Sequence, residues 1–330
     1  MKRGSMKLRQ FVGISAVVLA GAASGLATEA VAQSWPSKPV RIIVPFGAGG
    51  GTDIQGRLLG KKFYESMGQT FVVDNRPGAS GLLGAELAAK SPPDGYTILF
   101  TTASLSVNVS LYKKVPLDPL KDLLPISWIS SVPLVLVAHP SVPVKSAKEL
   151  IALAKKRAGK MNVASNGSGT TSHLSIEMLK QFAGVDVTHI PYKGGGPAIT
   201  ALISGEVDFT FATALAAQPY VKSGRVRALA VTTAKKSAAF PDLPTMVSLY
   251  PGFESDNWYA MFFPAGTPKE IVARMNSEIL KALKAPEVRN FMEKEGADPV
   301  GSTPEELTAY FKREIDKYAK VIKAGNITVE

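Results

Sequence analysis

Glycines, hydroxyls and one histidine, grouped in turns that lead from a strand into a helix, are the residues of this chain whose types and spacing could do chemistry. In the stretch Val44 to Asp53, Gly49, Gly50 and Gly51 follow Phe46 and permit backbone shapes and a ligand approach that a Cβ would forbid. Thr52 or Asp53 can then cap a helix whose free N–H groups and positive dipole end point into the turn, so the stretch forms an anion socket. A second turn, Ser165 to His173, has the same order, with Asn166, Ser168, Gly169 and Thr170 around the loop and His173 one turn into the helix. A third, Pro191 to Pro197, offers the ring or phenol of Tyr192 beside three glycines.

The spacing argues against two common phosphate sites. A dinucleotide fingerprint needs a third glycine, but Thr52 or Ile54 stands there. A P-loop needs Lys before Ser or Thr, and Thr52-Asp53 follows the glycines instead. Asp53 beside the socket also disfavours a polyphosphate. Asp74 follows the second strand at about the distance at which a dinucleotide fold holds its ribose, so an exported nucleotide-dependent oxidoreductase is the alternative reading. Asp74 to Gly81 is nevertheless rich in turn formers, which suits a capping role better.

Catalysis has few candidates. Of the three histidines, His139 precedes Pro140 at a strand end and His189 sits inside a strand; both suit structural roles. His173 is balanced between lining a cleft and packing. No further ligands accompany it at metal-binding spacing, and there is no cysteine for a thiolate site or a disulfide. The expectation is a protein with no catalytic residue, no metal and no cofactor.

The elements that must position these turns alternate. Arg41–Val44, Thr70–Val73 and Tyr96–Thr101 read as strands around a helix that Thr52 or Asp53 caps and another at about 81–90, with Ile54, Leu58, Leu59 and Phe63 facing inward on the first helix. After Ser104 comes a less regular region to about Pro125. The apolar strand Leu134–Ala138 then opens a second α/β series: helix 147–157, strand 161–164, helix 171–182, strand 185–190, helix 197–204 and strand 207–211. Ala228–Thr232 reads as a strand returning to the first series. Leu307, Tyr310, Phe311, Ile315 and Tyr318 mark the buried stripe of a last helix.

At the start, Lys2, Arg3, Lys7 and Arg9 precede an apolar run from Phe11 to Ala27 that ends in Ala30-Val31-Ala32, the three parts of a secretory signal peptide cleaved before Gln33. Removing residues 1–32 lowers the formal net charge from +11 to about +8. The basic residues are scattered rather than clustered with aromatics, which suits a small anion and not a nucleic acid.

These features together resemble the Bug-type (TctC-type) solute-binding proteins of the tripartite tricarboxylate transporters. The resemblance runs through Trp35-Pro36-Ser37-Lys38-Pro39, Pro45-Phe46 with the glycine turn and Asp53, Asn75-Arg76-Pro77-Gly78-Ala79 and Pro93-Asp94-Gly95-Tyr96-Thr97. It continues through Gly167-Ser168-Gly169-Thr170 with His173, Pro191-Tyr192-Lys193-Gly194-Gly195, Arg227 to Thr232 and Phe263 to Pro268. Gly47-Ala48 departs from it, since the family often has a proline before the glycines.

The resemblance implies a two-lobed α/β periplasmic binding protein of type II, each lobe a mostly parallel sheet flanked by helices. Residues 33–130 and 233–330 would form the first lobe and 131–232 the second. A monomeric periplasmic receptor is expected, holding a small carboxylate, such as a dicarboxylate or aromatic acid, between the lobes and delivering it to membrane permease subunits. A ligand-presenting sensor for a signalling system is a further alternative. The expected ligand-binding residues are Phe46, Gly49, Gly50, Gly51, Thr52, Asp53, Ser104, Asn166, Ser168, Gly169, Thr170, His173, Tyr192 and Thr213.

Overall fold

Val40–Val44 (β1) is an almost unbroken apolar run, and four of its five residues are buried because both faces of the strand are covered. In the computed structural model, residues 35–48, 51–294 and 296–328 are described; the expected signal peptide and the turn glycines Gly49 and Gly50 lie outside them. Residues 1–37 separate by contact from the remainder, and among them only Trp35–Ser37 are described, with a cis Trp35–Pro36 bond.

From β1 the chain runs through α1 (Gly51–Met67), β2 (Phe71–Asn75), a short 3-10 turn (Ala79–Gly81), α2 (Leu82–Ala89), β3 (Thr97–Thr102), α3 (Ser104–Leu111) and β4 (Leu123–Ser131). A second group follows: β5 (Leu134–Ala138), α4 (Ala147–Lys156), β6 (Asn162–Ser165), α5 (Thr171–Ala183) and β7 (Thr188–Pro191). It ends with α6 (Gly195–Ser204), β8 (Phe209–Thr213), α7 (Ala214–Lys222) and β9 (Arg227–Val231). The chain closes with α8 (Met246–Leu249), β10 (Tyr259–Pro264), α9 (Lys269–Lys284), α10 (Pro286–Lys294), β11 (Asp298–Pro299) and α11 (Pro304–Ala324).

Two sheets result, ordered β11-β4-β10-β3-β1-β2 and β7-β6-β8-β5-β9. They are mixed rather than mostly parallel. β1 pairs in parallel with β2 and β3, and β6 with β7 and β8. β10 runs antiparallel to β3 and β4, and β5 antiparallel to β8 and β9, because these strands enter their sheet from the other lobe rather than through a βαβ crossover. In β5, Leu134, Leu136 and Ala138 join the core beneath α4 and α5, while Val135 and Val137 join the one beneath α6 and α7. A strand covered on both faces needs no polar alternation, which is why Leu134–Ala138 is apolar throughout.

The first lobe's core joins Ile43, Leu99, Trp258 and Phe262 to Leu307 and Phe311 of α11. That helix starts with a capping box between Thr303 and Glu306 and a Pro at its first turn. Farther along, its Tyr318 and Ile322 pack with Val107 and Leu111 of α3 and with Leu174 of α5, so α11 is shared by both lobes. Among the described residues no helix is long and apolar enough to cross a membrane.

The chain first changes sheets between Ser131 and Leu134. The sequence pattern placed the return at residue 233, but Thr245 bridges Val231 and both Met246 and Phe253 sit in the second lobe's core. Packing therefore carries the second lobe to about Phe253, and the return runs through Ser255–Trp258. The two passages are tied side by side: Ser255 N–H donates to Thr232 O, and Asn257 N–H to Val132 O. The Asp256 carboxylate accepts from Ser131 Oγ at 2.5 Å and from Val132 N–H at 3.1 Å. Burial pushes Asp256 up to about 7, against the opposing pull of the Ser131 hydroxyl.

Candidate functional site

Between the two sheets lies a cavity of about 390 Å³. Phe46, Gly51, Thr52, Gln55, Thr102, Ser104, Asn257 and Tyr259 form its first-lobe wall. Asn166, Thr170, Thr171, Gly194, Gly195, Gly196, Thr213, Leu215 and Ala216 form the other, with Val132 and Ala297 completing the lining. No described lining residue carries a formal charge.

Five helices begin at this cavity: α1 at Gly51, α3 at Ser104, α5 at Thr171, α6 at Gly195 and α7 after Thr213. Their first N–H groups lack intrahelical partners, and their dipoles place positive potential at the lining. Capping satisfies only part of this set. Thr170 Oγ1 accepts from His173 N–H at 3.3 Å and Thr213 Oγ1 from Ala216 N–H at 3.4 Å, whereas α6 begins at Gly194 with no side-chain cap. Thr52 and Ser104 are almost wholly buried on the wall, and the side-chain oxygen of Asn166 is buried without a partner. The arrangement can therefore receive an acceptor-rich or anionic group through uncharged donors.

Of the residues singled out by sequence, Phe46, Gly51, Thr52, Ser104, Asn166, Thr170 and Thr213 meet at this cavity. Gly49 and Gly50 lie outside the described residues. Five others are placed elsewhere, each for a physical reason. Asp53 is buried in the first turn of α1, where its carboxylate takes Arg57 Nη2 at 2.9 Å and Nε at 3.1 Å. An acid there complements the helix dipole, and the arginine offsets its repulsion of an anion.

Ser168 faces the other lobe: its carbonyl accepts from Ser80 Oγ at 2.8 Å. Gly169 has φ +77°, and a Cβ on it would stand 2.7 Å from Asn108 Oδ1 and 3.0 Å from Leu111. Glycine is needed at this position for close approach of the lobes rather than for room around an anion. Tyr192 donates its hydroxyl to Glu206 at 2.6 Å and packs in the second lobe's core. Burial and that carboxylate push its phenol up to about 12.

His173 is turned into the protein. Its ring stacks on His189 at 4.4 Å between centroids, and its Nδ1 accepts from Gly169 N–H at 3.2 Å. Accepting at Nδ1 assigns the proton of the neutral ring to Nε2. Burial pulls both imidazoles down to about 4, with the neighbouring Lys180 adding to the effect on His173 and His173 itself adding to that on His189. Asp74, the residue that kept a nucleotide reading open, is held between Arg41 and Arg76.

Gln55 is the main lining residue that the sequence pattern missed. The inward stripe read from sequence, Ile54, Leu58, Leu59 and Phe63, does not include it; Gly56 and Gly60 let that helix lie close to Phe100 and Phe71, and Gln55 is buried there. The signal that could have revealed it is the small-residue pair at a four-residue step. Asn257 and Tyr259 were missed with β10, which has no polar alternation to mark it.

A family model described as "Tripartite tricarboxylate transporter family receptor" matches residues 56–327. Protein BugT of Bordetella pertussis is 37% identical over 321 residues, 96% of this chain and 98% of that protein. An R. palustris protein solved with adipate is 36% identical and superimposes with a TM-score of 0.84 over 89% of this chain and 99% of that one. MatC from Rhodopseudomonas palustris with bound malate is 31% identical, with a TM-score of 0.79 over 87% of this chain and 100% of that one.

Proposed function

The chain belongs to the tripartite tricarboxylate transporter receptor family, and from that premise we propose that it is a periplasmic receptor that captures a small carboxylate between its lobes and delivers it to a membrane permease. One observation carries the choice of ligand: helix N-termini from both lobes open onto a cavity whose described lining is uncharged. Hydrogen bonds to a charged group contribute about 1.5–3 kcal/mol each, and a helix N-terminus adds about 0.3–1 kcal/mol. A micromolar complex needs about 8 kcal/mol net. A handful of such donors reaches that figure after ordering costs, without an arginine.

The adipate and malate of the two solved relatives make dicarboxylates the first compounds to try. Titration calorimetry of the mature protein against a carboxylate series, each acid beside its neutral amide, tests this reading. Acids should bind and amides should not. Equal binding of amides, or no binding by any acid, would sink it. The leader reading puts the mature start at Gln33, so the intact mass of protein recovered from the periplasm should correspond to a chain beginning there. A full-length, membrane-held species would contradict that.

A further inference from the structure

Gln55 stands one helical turn after Gly51 on the inner face of α1, only 4% exposed, on the cavity's first-lobe wall. Its partner is Ser130 in β4, fully buried, whose Oγ lies 2.9 Å from Gln55 Oε1. That contact settles which end of the amide faces the cavity. Among the described residues the Ser130 hydroxyl has no other partner, so its proton must go to Oε1 or be left buried and unmatched. The amide is thereby turned with Nε2–H₂ toward the cavity, and no described group accepts from it. A ligand that fills the site displaces the water that serves this donor, and one that brings no acceptor leaves it unmatched, which is costly. The second-lobe wall has its own donors at the starts of α5, α6 and α7, enough to engage one acidic end of a ligand.

Building on the carboxylate-receptor reading above, we propose that Gln55 is a specificity-determining residue that reads a second acceptor group on the ligand, a carboxylate or carbonyl oxygen distinct from the end held by the second lobe, with Ser130 as its positioning residue. A ligand with one acidic end and an apolar tail leaves Gln55 Nε2–H₂ without an acceptor and is selected against. Recognition at this end is neutral. It tolerates any acceptor of suitable reach and does not demand a countercharge.

The experiment compares the straight-chain dicarboxylates from malonate to suberate with the monocarboxylates of equal length by titration calorimetry. The mature wild-type protein is measured beside Gln55→Leu, Ser130→Ala and the double variant Gln55→Leu/Ser130→Ala, with circular dichroism and thermal melting on each. The double variant removes both partners, so no buried hydroxyl is stranded if the single substitution disturbs folding. The wild type should prefer the diacid. Gln55→Leu and the double variant should lose about ten- to a hundredfold in diacid affinity while keeping monoacid affinity. Ser130→Ala should lower the same ratio by a smaller factor, because Gln55 stays in place but loses the bond that orients its amide.

A diacid preference retained in the folded Gln55 variants, equal loss for both ligand types, or no preference in the wild type would each overturn the role of Gln55 while leaving the receptor reading intact. Failure of the wild type to bind any acid of the series would overturn the receptor's carboxylate reading, and this inference with it.

Discussion

Thr170 illustrates how a hydroxyl beside a binding cavity can already be committed. Its Oγ1 donates to Gly167 O at 2.7 Å and accepts from His173 N–H at 3.3 Å, closing the turn and capping α5 together. Thr170→Val keeps the shape and removes both bonds. It should lower unfolding stability by about 0.5–2 kcal/mol, the usual range for a lost N-cap. Because the hydroxyl serves the turn, urea denaturation should register the change more strongly than ligand titration does. An unchanged denaturation midpoint together with a large loss of affinity would reverse that assignment and make Thr170 a direct ligand contact.

Helix α5 and strand β7 are joined by the stacked pair His173 and His189, and the environment of that pair sets a pH window. Both imidazoles are drawn from 6.5 down to about 4, chiefly by burial. Between those values an unfolded chain takes up protons that the folded one refuses, so the pair's contribution is present above pH about 6.5 and is lost as pH falls toward 4. Asp256 acts with the opposite sign. Held up to about 7 from 3.8, it favours folding at low pH and loses that contribution as pH rises to 7. Two imidazoles oppose one carboxyl, so a net loss of stability on acidification is expected, with a slope of about 1.4 kcal/mol per pH unit for each uncompensated proton. Melting temperature should fall from pH 7 to pH 5 in the wild type and fall less in His189→Phe, which keeps a ring over His173. Parallel curves for the two proteins would show that the imidazoles are not the cause.

The whole molecule is two sheets joined by two short passages, clamped by Asp256 and underpinned by α11, with a cavity whose walls come from both sides. A ligand touching both walls favours the closed arrangement by its differential affinity for it, and the passages at Val132–Pro133 and Ser255–Trp258 are where backbone rotation would be absorbed. Small-angle scattering at saturation with a carboxylate that binds should show a smaller radius of gyration than the free protein. An identical profile would mean that the lobes are already closed around the cavity, as the Ser80–Ser168 bond across them could achieve.

Local pattern was enough to specify the strand-turn-helix order that opens each lobe, the boundaries of β5, and the stripe Leu307, Phe311 and Tyr318 that buries α11. These are properties of a residue and its near neighbours: glycine where a turn needs it, apolar residues at steps of three and four, a run without alternation where both faces are covered. The family resemblance was legible for the same reason, since the motifs that carry it are short turns. Tertiary packing decided the rest. Helix α3 has no legible period in the sequence because Ser104 to Asn108 are all buried, so no polar face betrays it. β10 sits between β3 and β4 only because the chain returns from the other lobe, which no local signal encodes. Gln55 faces the cavity because two glycines let α1 lie close to the sheet, and His173 faces away because a second histidine lies beneath it. Which polar side chains line the space between the lobes depends on how helices rotate against their sheets, and that rotation is set by contacts between residues far apart in the chain.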